Sequence, residues 1–165
     1  MTSWERIVDK NTGYHFYRKR DKLSNGQFCE IEFLEEYMII DNRINYYVSF
    51  AIANKKKELN KWFNGKDSSI NCKTTGKCGL EGLLWAKECI KEFEEYIWEI
   101  YGGYEGGIYI IVAGEDKRRY RVYERGLRDL GFEKWNRFGE WVLGKRVVGM
   151  EDMEDMEDNE DNEFL

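Results

Sequence analysis

The stretch Thr75-Gly-Lys-Cys-Gly-Leu-Glu-Gly-Leu-Leu84 puts glycines at 76, 79 and 82 at the opening of an apolar-periodic segment. A helix that starts there leaves backbone N–H groups without intrahelical partners, and its dipole adds partial positive charge at the same place. That combination suits a phosphate-bearing ligand. Further along, Lys117, Arg118, Arg119, Arg121, Arg125 and Arg128 form the densest basic cluster, with Tyr120 among them. They could contact the phosphates of a cofactor, or pair with and stack on RNA. The alternative is a solvated helix face balanced by Glu115, Asp116, Glu124 and Asp129. Cysteine chemistry has less to work with. Cys78 sits near the helix start, where a thiolate is favoured, and Cys89 lies further along the same segment. His15 is the only histidine in the chain, so a Cys/His hydrolase and a Cys/His zinc site are both disfavoured.

These residues need elements to position them. Leu83, Ala86, Ile90, Phe93 and Ile97 recur at three-four spacing, which predicts an amphipathic helix from about 79 to 100. Tyr101-Gly-Gly-Tyr-Glu-Gly-Gly107 ends it, and Ile108 to Ala113 reads as a strand buried on both faces. Arg118 to Leu130 reads as a second helix with Tyr123, Leu127 and Leu130 on one side, and Gly131 suits its left-handed cap. Trp141-Val-Leu143 is expected to be a closing strand. The first half reads as β structure. Runs at 14–17, 28–33, 37–40 and 44–52 are separated by Ser24-Asn-Gly26 and by Asp41-Asn-Arg43, a hairpin signal. A basic stretch at 54–63 suits a short helix, and Ile70 to Lys73 a short strand.

The chain has 165 residues, 16% of them aromatic and none proline. Its net charge of −6 hides a division, because residues 151–163 carry nine acidic groups and no basic one. The remainder holds 23 acidic residues against 26 Lys and Arg, so neither part argues for nucleic acid. The triplet-like repeat from Glu151 to Glu163 should stay extended and disordered through self-repulsion. Expected, then, are one domain over 1–149 and an acidic tail over 150–165. The tail either solubilises the chain or attracts a basic partner. Met1 to Lys10 is polar and unlike a secretory leader, and no apolar run is long enough to span a membrane. The expected setting is the reducing cytoplasm.

The order of strands, glycine turn, long helix, buried strand, second helix, Leu130-Gly131-Phe132 and strand resembles the GNAT N-acetyltransferase superfamily over about residues 70–145. Gly79-Leu-Glu-Gly-Leu-Leu84 looks like the family's pyrophosphate-binding turn, in which Gln or Arg precedes spaced glycines. A second register, Lys73-Thr-Thr-Gly-Lys-Cys78, keeps a basic first position and a small last one. Asp116-Lys-Arg-Arg-Tyr-Arg-Val-Tyr123 looks like the family's later helical motif. The resemblance implies an α/β fold, with a mostly antiparallel sheet and two principal helices. It also implies acetyl-CoA or another acyl-CoA as cofactor and transfer of the acyl group to an amine. Gly76, Lys77, Cys78, Gly79, Leu80, Gly82 and Asp116 would bind the cofactor, and no metal is implied.

Acyl transfer needs a deprotonated amine, donors for an oxyanion and an acid for the departing thiolate. Tyr123 is the candidate acid, unless it only packs with Leu127 and Leu130. Glu30, Glu32 or Glu35 could supply a base, although ordinary solvated carboxylates are expected there. Gly76 falls where the family has Gln or Arg, Asp116 stands for its Asn, and three further positions depart from the family pattern. Glu81 stands where Gly or Ala is usual, and either repels a pyrophosphate or caps the helix. Arg119 replaces an Ala, and Leu127 occupies the strict position of the family's Tyr. These departures support a rival, a catalytically inactive binding protein acting on a protein partner, of a kind that suits a phage or mobile element.

Overall fold

The computed structural model describes residues 4–63, 80–113 and 117–149. Four strands come first: β1 (Glu5–Val8), β2 (His15–Lys22), β3 (Phe28–Met38) and β4 (Arg43–Ala53). Helices α1 (Lys56–Phe63) and α2 (Glu81–Tyr101) lead to β5 (Ile108–Val112). Helix α3 (Lys117–Leu127) continues into a 3-10 turn, Arg128–Leu130, followed by β6 (Glu133–Arg137) and β7 (Glu140–Val148). The strands make one mixed sheet in the order β1-β2-β3-β4-β5-β7-β6. Strands β4 and β5 are parallel, and every other neighbouring pair is antiparallel. A parallel pair cannot be closed by a tight turn, and α2 lies in the long connection it needs. The α/β class read from the sequence holds. Three helices are present among the described residues, where two principal ones were expected, the third being the short α1.

Helix α2 buries Ala86, Ile90, Phe93 and Ile97, together with Gly82 and Cys89. Phe93 is the centre of the main core. Its ring stacks on Phe33 of β3 at 3.9 Å between centroids and 11° between planes. It meets Trp4 and Tyr46 edge-on. Odd-numbered residues of β3 therefore face α2, and even-numbered ones face the other way. On that second face, Ala51, Ala53 and Leu59 cluster with Phe28 and Phe63, which seats α1 there. Polar ties add to the packing: Lys19 of β2 donates to Glu92, and Lys145 of β7 to Glu94.

Strand β3 is continuous over 28–38, where the sequence suggests two runs with a break. Glu35 and Glu36 look like an interruption, yet each is held within the sheet. Glu35 accepts from Tyr46 Oη and pairs with Arg6, and Glu36 accepts from Tyr47 Oη. Ile39 and Ile40 leave the strand and are exposed in the turn before Asn42. Strands β1 and β6 lie at the two edges of the sheet and carry no apolar alternation that would announce them. Gly131 has φ 91° at the end of the 3-10 turn, and its N–H donates to Arg128 O, as its proposed capping role requires. The expected strand at 70–73 and the acidic tail from 150 lie outside the described residues.

Candidate functional site

The parallel ladder begins at Ile44 opposite Ile108 and ends at Val48 opposite Val112. There β5 stops, while β4 runs on to Ala53. Ile44 N–H donates to Gly107 O at 2.9 Å, which fixes the parity of the strand. Alternate residues from Ile44 onward turn their backbone N–H and C=O towards β5. Phe50 is the next such residue beyond the last ladder pair, so its N–H and C=O face the opening between the strands.

A cavity of about 610 Å³ occupies that opening. Val48 to Ala51 of β4 form one wall, and Val112 at the end of β5 with Ala113 just after it form another. Leu80, Leu83, Leu84, Ala86 and Ile90 of the first turns of α2 form the roof. Helix α3 closes it with Arg119, Val122, Tyr123, Arg125, Gly126 and Leu127. The lining is mainly aliphatic, with a few polar groups, which is the usual make-up of a small-molecule site. The start of α2 is at its edge. Leu80 is the N-cap and makes no side-chain capping hydrogen bond.

Three of the residues expected to bind or react can be placed. Leu80 lines the cavity, Gly82 is buried in the first turn of α2, and Tyr123 lines the cavity from α3. Tyr123 also packs against the main core. Gly76, Lys77, Cys78, Gly79 and Asp116 lie outside the described residues. Of the basic cluster, Arg119 and Arg125 reach the cavity, while Arg128 pairs with Glu124 on the helix surface. Lys87 of α2 lines the cavity too, and its ammonium is held by Asp129 at 2.8 Å.

Glu81 has a definite partner. Its carboxylate accepts from the N–H and the hydroxyl of Ser24, in the turn between β2 and β3. The Ser24 hydrogen bonds hold its pKa below the ordinary carboxylate value. Glu81 therefore ties the start of α2 to the sheet, and it is not among the cavity residues.

The carboxylates of β3 are not the ordinary solvated groups expected from sequence. Glu30 is fully buried and paired with Arg20 at 2.6 Å. Burial raises its pKa, against the opposing pull of Arg20. Burial also pushes Glu32 up to about 8, with Glu30 adding to the rise. Both lie on the α1 side of the sheet. Cys89 is buried in α2, and burial pushes its thiol up to about 12, which removes it as a nucleophile at neutral pH.

The contribution of Val48 to Ala51 escapes a reading based on motifs. The one available signal is length, since the apolar run of β4 is about twice that of β5, so a parallel pairing must leave part of β4 uncovered. Among the described residues, no helix is long and apolar enough to cross a membrane, and no three His, Cys, Asp or Glu side chains converge as metal ligands. No protein-family model matches this chain, and neither does any curated protein or solved structure.

Proposed function

We propose that this chain is a cytoplasmic acyl-CoA-dependent N-acyltransferase of GNAT type, with its cofactor in the opening between β4 and β5. The observation that carries this reading is the wedge itself. A parallel pair separates after Val48 and Val112, and an aliphatic cavity fills the gap beside a helix start. An extended ligand with amide groups would find the N–H and C=O of Phe50 available as on a sheet edge, and apolar walls for its chain.

The chemistry asked of the protein is limited. Bound acyl-CoA supplies an activated acyl carbon. In this reading Phe50 N–H would donate to a developing oxyanion, and an oriented donor in a dry site is worth about 2.7–4 kcal/mol. Tyr123 Oη supplies the proton that a departing thiolate needs. Arg119 and Arg125 provide positive charge for phosphates at the α3 side.

A second reading keeps the scaffold and drops the chemistry: a regulatory protein, of phage or mobile-element kind, that binds a protein partner. Leu127 favours it, because a buried leucine at the family's Tyr position has no proton to give.

Gly126 separates the two readings. A Cβ at this cavity position meets nothing within 4 Å. Gly126→Ala should stabilise α3 by about 0.5–1 kcal/mol and leave acetyl-CoA binding intact. Gly126→Trp should fold and abolish the calorimetric heat of acetyl-CoA binding. Absence of heat with the unaltered protein would remove the enzyme reading, and unchanged heat with Gly126→Trp would place the cofactor elsewhere.

A further inference from the structure

Helix α1 sits at one end of the sheet face that α2 leaves open, against Phe28, Ala51 and Ala53. The other end of that face carries arginines and aromatic rings. Asn45 of β4 is opposite Tyr109 of β5, and Tyr109 is opposite Arg146 of β7, so their side chains share the face. Arg43, two residues before Asn45, joins them, and Trp135 of β6 meets Tyr109 edge-on at 5.7 Å.

The guanidinium of Arg43 is held in place without a countercharge. It lies 3.7 Å from the centre of the Tyr109 ring, and its Nε donates to Asn45 Oδ1 at 2.8 Å. Asn45 is buried and is itself fixed by donating to Glu36 Oε1. Among the described residues no carboxylate pairs with Arg43, Asp41 of the adjoining turn included, and its two Nη groups make no hydrogen bond. Arg137 differs, since it lies over Tyr47, pairs with Glu36 at 4.0 Å and is opposite Glu140 in the ladder. Arg146 approaches the Tyr109 ring at 5.4 Å. Positive charge is therefore in excess at the Arg43 and Arg146 end of the face.

Two observations name the occupant. The rings are already covered by guanidinium groups, so a nucleic-acid base has little open face to stack on. Guanidinium N–H groups match carboxylate oxygens instead. The second observation is where the chain leaves the sheet. Strand β7 ends at Val148 opposite Ile108, and a Cβ on the following Gly149 would lie 3.3 Å from Gly107 Cα and from Arg146 Cδ. Ile44, next to Arg43, donates its N–H to that same Gly107. Residues 151–163 come next, with nine carboxylates and no basic group. Glu151 is two residues beyond Gly149, a reach of at most roughly 7 Å. Carboxylates tethered so closely act at an effective concentration on the order of millimolar. The rest of the chain has 26 basic residues against 23 acidic ones, too small an excess to favour a free polyanion over the tethered one.

We infer that the acidic segment beginning at Glu151 docks on this face of its own chain, its first carboxylates pairing with Arg43 and Arg146 beside Tyr109. Each pair is weak by itself, and the tether together with several interchangeable carboxylates keeps the contact populated. Salt should release it.

The test is the amide spectrum of the full-length protein by nuclear magnetic resonance at about 10 mM and about 1 M NaCl, where the Debye length is about 30 Å and about 3 Å. A synthetic peptide of residues 150–165 gives the undocked reference. At low salt the amides of residues 151–156 should lie away from their positions in the peptide, and high salt should bring the two together. Arg43→Gln should do the same at low salt. Arg128→Gln, which removes an equal charge from the exposed turn after α3, should leave the tail signals where they are. Should Arg43→Gln fail to fold, Glu151→Gln with Asp152→Asn leaves the described residues unaltered and should shift the Trp135 indole signal in the direction that salt shifts it. Tail amides at the peptide positions in the parent at low salt, or tail and indole signals indifferent to these substitutions, would overturn the docking. A single-stranded oligothymidylate that moves the Trp135 signal while the tail amides stay at the peptide positions would overturn it in favour of nucleic acid.

Discussion

At the scale of single residues, the most consequential side chains are carboxylates held away from water. Glu30 is buried against Arg20, and the pair is weak evidence of stability but a strong liability if broken. Arg20→Met should cost about 3–5 kcal/mol in urea unfolding, because it leaves an uncompensated charge. Arg20→Met with Glu30→Met should recover most of that loss. If the single and double variants were equally unstable, burial of the charge would not be the cause. Glu81 is the opposite case, an exposed group whose value is local. Its folded pKa is depressed below 4.5 by Ser24, so its contribution is present above pH 4.5 and is lost as pH falls through the folded value. Glu81→Gln should therefore melt earlier than the parent at pH 7, with the difference closing in acid and acetyl-CoA affinity unaltered. A gain in affinity would mean that the carboxylate opposes the cofactor after all. Neither role was legible beforehand. Glu30 and Glu32 alternate with apolar residues just as solvated strand positions do, and only the seating of α1 on that face buries them.

At the scale of elements, the sequence is most readable where one face is buried and the period is long. The three-four spacing of Ala86, Ile90, Phe93 and Ile97 anticipates α2 to within about a turn, and the run from Ile108 anticipates β5. Gly131 marks the end of the 3-10 turn that follows α3, because its left-handed backbone leaves few alternatives. The edge strands are another matter. Glu5–Val8 and Glu133–Arg137 are mostly exposed, so pairing alone makes them strands and no hydrophobic pattern records it. Helix α2 carries most of the central packing. Phe93→Ala should destabilise by about 3–5 kcal/mol, measured by chemical denaturation, since the ring contacts Phe33, Trp4, Tyr17 and Tyr46 together. A loss below about 1 kcal/mol would mean that the aromatic cluster relaxes into the space or is not formed as described.

At the scale of the whole molecule, two cavities flank the sheet and share Ser49 as a lining residue. One is mainly aliphatic, with Arg119 and Arg125 in its lining, and the other is polar and includes Glu30 and Glu32. Gly76 and Gly79 of the glycine turn lie outside the described residues, and Leu80 and Leu83 after them line the first cavity. The wedge could not be read from any motif, because it arises from the unequal lengths of β4 and β5 and from where their pairing stops. The most direct measurement is thermal unfolding with and without millimolar acetyl-CoA, with native mass spectrometry on the same sample. Ligand at about a hundredfold above its Kd adds about 2.7 kcal/mol, which for a chain of this size raises Tm by roughly 5–10 °C. The account predicts that rise together with a one-to-one adduct. An unchanged Tm with no adduct would contradict it.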